Sequence, residues 1–420
     1  MARVAGRFPR VEPRRRVRDF LEGLLAGLPR VNCWTVAEQV GDGGPDGMQH
    51  LLARASWDHD GVGEDLRHYV VEHLGAEDGV LVVDETGDVK KGTATVGVQR
   101  QYSGTAGRIE NCQVAVYLVY ASERGHAFID RELYLPRSWT EDPARCAGAR
   151  VPADTEFATK PALAQAMIGS ALDAGTPCSW VAGDEVYGNA PQLRADLVER
   201  GIGYVLAVAR DHRITTGTGT HRAEELAARL PQRAWRRISA GPGAKGQRLY
   251  DWARIQTTDP AVAPDAATRG RHWLLIRRSI RTGELAFYRA HAPLRTKLTT
   301  LVRVAGRRWA VEEAFQSGKE LTGLDEHQVR TWTSWRRWTL LAMLAHAFLT
   351  VLAATQPEAE QDGLIALTRN EIRRLFSALT LATGHPINDV AHRLHWSRWR
   401  RRHQARARAC HYRRQQAQLA

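Results

Sequence analysis

The chain has 420 residues and a formal net charge of +13, and all but six of its 59 basic residues are Arg. That length allows two or three domains with a substantial core, and an Arg-dominated balance favours a polyanionic partner over a small acidic one. Five scattered cysteines (Cys33, Cys112, Cys146, Cys178, Cys410) without a CxxC pair or Cys/His spacing argue against a disulfide scaffold and a zinc module. They predict reduced, buried thiols in a cytoplasmic protein. The Arg- and Pro-rich start lacks the apolar segment of a signal peptide. The longest apolar run, Leu340 to Ala354, falls short of the ~20 residues that span a bilayer.

Residues 1–16 are basic and Pro-containing and predict a flexible arm. From Val17 to about Leu74 the spacing is helical. Phe20, Leu21, Leu24, Leu25 and Leu28 form one stripe; Met48, Leu51, Leu52 and Ala55 form another; Leu66, Tyr69, Val70 and Leu74 close the segment. A helical domain over 1–78 is expected, without a clear helix-turn-helix signature.

Two short apolar runs then end in acids. Gly79 to Val83 leads to Asp84, and Cys178 to Gly183 leads to Asp184. Each predicts a buried strand presenting a carboxylate at its carboxyl end before a Gly-containing turn. Thr93–Ser103, Asn111–Glu123 and His126–Leu135 predict strands, as does Gly203–Val208; Lys160–Ala174 and Ala190–Arg200 predict helices. Glycines at 87, 92, 104 and 107 alternate with Lys90, Lys91, Arg100 and Arg108, a pattern suited to phosphate. Glu85, Asp88 and Glu185 adjoin the acids, but successive residues of a strand face opposite ways, which leaves them outside a shared site.

The interval 211–298 predicts a β-rich insertion with strands near Trp235–Ser239, Leu249–Thr257, Trp273–Ile280 and Leu285–His291. Its Gly241–Gly246 turn brings Lys245 and Arg248 forward as phosphate contacts, and Trp252 and Trp273 as core residues or base-stacking surfaces. A helix from Thr299 carries Arg308, Glu312 and Lys319 at offsets of four and seven, near one face, with Val311 and Phe315 as its apolar stripe. Trp332, Trp335 and Trp338 predict a packed helix face, and His346 a hydrogen-bonded core histidine. Beyond a polar break at Pro357–Gly363, the C-terminal stretch interleaves Arg398, Arg400, Arg401, Arg402 and Arg406 with Trp396, Trp399 and Tyr412, a pattern suited to tracking phosphates.

The spacing of Arg308, Glu312 and Lys319, with Lys90-Lys91-Gly92, Gln99 to Gly104, Asn111-Cys112-Gln113, Leu133 to Pro136 and Gly323 to Arg330, resembles bacterial insertion-sequence transposases of the DDE superfamily and their Y-R-E-K signature. Ala305 stands at the Tyr position, and His327 and Trp338 stand where Tyr and His are expected. The resemblance implies an α/β (α+β) chain. Its RNase H-like mixed sheet, flanked by helices, occupies 79–210 and resumes at 299–355, with a DNA-binding domain at 1–78 and a basic helical region at 356–420. It implies that Asp84, Asp184 and Glu312 hold two Mg²⁺ or Mn²⁺ ions, Asp84 bridging both, which favour oxygen ligands. Arg308, Lys319, Lys90, Lys91, Arg100, Lys245, Arg248, Arg330, Arg400 and Arg401 would contact DNA. The implied activity cuts the element's terminal repeats and joins the 3′-OH to target DNA, as a homodimer in a paired-end complex associated with the bacterial nucleoid. A metal-dependent nuclease without strand transfer, and a DNA-binding protein that has lost catalysis, are the alternatives.

Overall fold

The computed structural model describes residues 1–243, 246–262, 270–293, 295–356, 366–381 and 390–419. The chain divides into two compact units, one of residues 1–65 with 317–420 and the other of residues 66–316.

The second unit is built on a ten-stranded sheet. Its strands are β1 (Val80–Val89), β2 (Gln99–Ser103), β3 (Arg108–Ala121), β4 (His126–Leu133), β5 (Trp180–Gly183), β6 (Gly203–Val208), β9 (Arg236–Gly243), β10 (Gly246–Thr257), β11 (Arg271–Arg278) and β12 (Leu285–Ala292); β7 (Arg213–Thr216) and β8 (Gly219–Arg222) form a separate hairpin. At its heart the order is β4-β3-β1-β5-β6. β1 runs antiparallel to β3 and parallel to β5, and β5 parallel to β6. Helix Lys160–Asp173 connects β4 to β5, and helix Pro191–Glu199 lies between β5 and β6. Three antiparallel strands followed by helix, strand, helix and strand make an RNase H-like core. β1 and β5 are apolar throughout their paired stretch, as strands covered on both faces must be.

The strands of the 211–298 interval do not stand apart from this sheet. β12 pairs antiparallel with the outer edge of β6, and β11, β10 and β9 follow in turn. The hairpin β7–β8 and helix Ala223–Ala228, absent from the sequence expectation, are also found here. Ile214, Ala223 and Leu226 bury Leu274, Ile276 and Phe287 of β11 and β12.

The first unit is helical. Helices Val11–Leu25, Cys33–Gln39 and Asp46–Ala53 pack with Trp332–Ala354 and Arg369–Phe376. Phe20 meets the Trp338 ring edge-on at 5.4 Å, and Trp338 Nε1 donates to the Gly323 carbonyl at 3.0 Å. His346 is the expected core histidine, its Nε2 bonded to Ser317 Oγ at 2.9 Å and facing Arg369 Nη1 at 3.2 Å. Helix Trp332–Ala354 starts eight residues earlier than the apolar run the sequence displays. It is long and apolar enough to cross a membrane, but 72% of its most apolar window is buried.

The N-terminus is not a flexible arm. Val4 and Phe8 are buried, Phe8 stacks on Trp57 at 5.3 Å, and Arg7 pairs with Asp65 at 2.9 Å and Asp58 at 3.2 Å. Two apolar residues spaced along an Arg-rich segment are too few to announce a docked face. The thiols also depart from expectation, since only Cys112 is fully buried and Cys410 is exposed. At the C-terminal helix, Val390–Leu419, Trp396 and Trp399 serve packing, while the Tyr412 side chain lies outside the described residues. Trp396 is buried, and Trp399 lies against Trp34 at 4.7 Å.

Candidate active site

Asp84 lies in the middle of β1, not at its end. β3 offers ten consecutive antiparallel partners, from Val80↔Ala121 to Val89↔Cys112, and this ladder carries β1 through the Thr86-Gly87 pair that reads locally as a turn. The parallel ladder to β5 stops at Val83↔Gly183, so Asp84 stands where the two strands part. Asp184 follows β5 at once and caps the short helix Glu185–Gly188, its Oδ1 accepting from the Val186 amide at 2.9 Å. That helix sits hard against β6, where a Cβ on Gly188 would come within 1.8 Å of the Ala207 carbonyl oxygen. Only glycine permits this approach, and it fixes the cap carrying the second acid.

The third acid is on helix Trp309–Thr322, whose Phe315 packs edge-on against Tyr117, the β3 partner of Asp84. Arg308 precedes that helix and joins two of the acids. Its Nη2 is 2.5 Å from Glu312 Oε1, and its Nη1 is 3.7 Å from Asp84 Oδ2. Burial disfavours the Arg308 cation, but Glu312 and Asp84 outweigh burial and hold it firmly protonated. Burial and then the charge of Asp184 push the Asp84 carboxyl up to about 7, partly offset by the Glu85 amide and Arg308. Asp184 is raised as well, by burial and then by Glu85. Acids that resist ionisation side by side either keep a proton or take a cation between them. Among the described residues, no three His, Cys, Asp or Glu side chains are close enough to hold a metal ion as they stand. The donors themselves fit one: all are hard oxygen ligands, and Arg308 now supplies the countercharge.

Glu85 does face away from Asp84, as strand alternation requires. There it accepts from Lys160 Nζ at 2.7 Å and Tyr187 Oη at 2.7 Å. Its charge still bears on Asp184, and with burial it raises Tyr187 far above the ordinary phenol range. Sequence reasoning missed this network. Its one available signal was Lys160, a rare lysine in an arginine-rich chain.

Beside the acids opens a cavity of about 1170 Å³. Asp184 and Arg308 line it, with Arg210, Arg248, Arg277 and the half-exposed Trp309. Ala305, at the signature's Tyr position, is also in its wall. Arg248 is tied down there, donating to the carbonyls of Ala240 at 2.8 Å and Gly306 at 3.1 Å. Trp252 is 1% exposed and Trp273 5%, so both are core.

The remaining cations are spread more widely. Lys91 and Arg100 are exposed and Lys90 half-buried near the β2–β3 hairpin. Lys319 falls in the other unit, as do exposed Arg330, exposed Arg401 and Arg400, which pairs with Glu38 at 2.6 Å. Lys245 lies outside the described residues.

Residues 3–269 match the family described as DDE superfamily endonuclease. The chain belongs to the DDE superfamily of endonucleases. It is 29% identical over 256 residues to the probable transposase for insertion sequence element IS701 of Microchaete diplosiphon, a match covering 59% of this chain and 63% of that protein. The chain thus aligns with less than two thirds of that relative's length. Among solved structures, the piggyBac transposase in a synaptic complex with hairpin DNA is similar at a TM-score of 0.44 and 10% identity, covering 92% of this chain and 75% of that one. Strand order, rather than that distant likeness, assigns the RNase H-like fold. The family match stops before Glu312, so the third acid rests on its own surroundings.

Proposed function

We propose that the protein is a DNA transposase that cuts the ends of an insertion sequence and joins the freed 3′-OH to target DNA. The observation that carries this reading is the Arg308 bridge, which links Asp84 of β1 to Glu312 of a helix far along the chain, beside Asp184. Two divalent cations, Mg²⁺ or Mn²⁺, held by Asp84, Asp184 and Glu312 would supply activation of the attacking oxygen and charge neutralisation at phosphorus. Arg308 balances the carboxylates before DNA arrives and holds phosphate oxygens afterwards. The rigid cap at Asp184 and the pairing of β1 with β3 fix two acids without reorganisation. Glu85, anchored by Lys160 and Tyr187, adds negative field that strengthens cation binding.

The cavity, where Arg210, Arg248, Arg277 and Arg308 stand against Asp184, Glu185, Asp211 and Glu284, accepts the DNA strand at the acids. Lys90, Lys91, Arg100 and Arg248, with Lys245, act as phosphate contacts, as do Lys319, Arg330, Arg400 and Arg401 of the other unit, and the active form is a homodimer holding two ends. A joining assay with pre-cut ends tests the assignment, because insertion into target DNA requires a transposase. Cutting without joining would reduce the protein to a metal-dependent nuclease. Binding without either would leave a DNA-binding protein.

A further inference from the structure

The tip of the β2–β3 hairpin carries the two most exposed large hydrophobic side chains among the described residues of its sheet. Tyr102 and Ile109 are directly opposed across the two strands, yet they are 64% and 59% exposed. Two large apolar side chains paired in solvent at a hairpin end are costly unless something covers them. The hairpin that carries them is firmly built. Gln101 Nε2 donates to the Cys112 carbonyl at 3.0 Å, and the Gly107 amide closes the turn onto the Ser103 carbonyl at 2.9 Å.

The surroundings favour a polyanion. Arg100, two residues before Tyr102, shares its face of the strand and is exposed. Asn111 lies opposite Arg100, and its Nδ2 donates to the carbonyls of Lys90 at 2.7 Å and Gly92 at 2.9 Å. This holds the Lys90-Lys91-Gly92 loop, with its exposed Lys91, against the hairpin. An apolar pair rimmed by cations fits a duplex groove, where the cations meet phosphates and the rings enter between base pairs.

Register ties this surface to the active site. β3 pairs with β1 without a shift from Ala121 to Cys112, so Ile109, Asn111 and Tyr117 share one face with Asp84. From Tyr117 to Ile109 is eight residues of strand, or about 27 Å at ~3.4 Å per residue. DNA rises ~3.4 Å per base step, so that span is about eight base pairs.

Resting on the DNA reading above, we propose that Tyr102 and Ile109 form a wedge that enters the minor groove of the bound duplex about eight base pairs from the scissile phosphate. The wedge unstacks one step and bends the flanking DNA, and it sets the register at which the acids meet the backbone. The full-length protein is mixed with duplexes drawn from the DNA flanking its own coding sequence, carrying 2-aminopurine at successive positions from the cut. One step near the eighth should brighten at least twofold with the wild type. Tyr102→Ala should abolish that signal, weaken binding about tenfold and leave the circular-dichroism melt unchanged, whereas Tyr102→Phe should keep it. Cutting without any bright step, or an equally bright step in Tyr102→Ala, would overturn the wedge alone. A variant that instead loses self-association, with its DNA signal intact, would make this face an interface between copies and also overturn it. Failure of the wild type to bind or cut any duplex would overturn the transposase reading and the wedge with it.

Discussion

Two carboxylates set into the same unit have opposite fates. Asp259 is 5% exposed and is gripped by Arg194, whose Nε lies 2.6 Å from its Oδ2, with Arg289 at 3.5 Å and Tyr204 Oη at 3.5 Å. Burial alone would raise it, but the two guanidiniums win and hold it down at about 2. Asp84 is half-buried, but its nearest cation stands 3.7 Å away and is shared with Glu312, and its carboxyl is pushed up to about 7. One site is electrostatically closed and structural. The other is held short of positive charge, which suits the cation site proposed above.

The comparison can be broken at either end. Asp84→Asn should lower single-turnover cutting at least ~10³-fold, a loss typical of removing transition-state stabilisation. The same variant should gain about 4 kcal/mol of stability in EDTA at pH 8. The sign follows from linkage: the native state retains this proton above the pH at which the unfolded chain releases it, so the burden grows from about pH 4 to 7 and is absent at pH 4. Thermal melts at the two pH values check it.

Asp259→Asn should do the reverse, costing about 3–5 kcal/mol because two buried guanidiniums lose their partner. Denaturant unfolding measures that loss. Since Arg194 also donates to the Gly188 carbonyl at 2.7 Å, the second-acid helix should loosen with it.

A smaller effect concerns His291, fully buried beside His272 at 4.6 Å and lowered to about 4 by burial and then by that neighbour. The unfolded chain takes up this proton first as pH falls, so stability should drop between about pH 6.5 and 4, by about 3 kcal/mol. His291→Leu should flatten that slope in melts across the window. Smallest is Arg100→Ala, which should leave the cut site unchanged and reduce the salt slope of DNA binding by about one.

What could be read in advance follows the same division. β6 appears at Gly203–Val208, and helix Lys160–Asp173 within one residue of its expected end, because local apolar spacing and caps agree there. The true reach of β1 was hidden, since only β3, more than twenty residues on, converts a turn-like Thr-Gly into strand. The hairpin β7–β8 is Thr- and Gly-rich, so no alternation announces it. At the site, Asp84, Asp184, Glu312 and Arg308 were visible as acids behind apolar runs and cations at helical spacing. The Glu85 network was not, because its partners lie 75 and 102 positions away.

Mn²⁺ binding to the full-length protein with DNA, followed by electron paramagnetic resonance, tests most directly whether the three carboxylates share divalent cations. Asp84→Asn, Asp184→Asn and Glu312→Gln should each weaken binding at least tenfold, while Glu313→Gln, next to the third acid but paired toward His126 at 3.7 Å, should not. Mn²⁺ affinity unchanged in all three acid variants would contradict it.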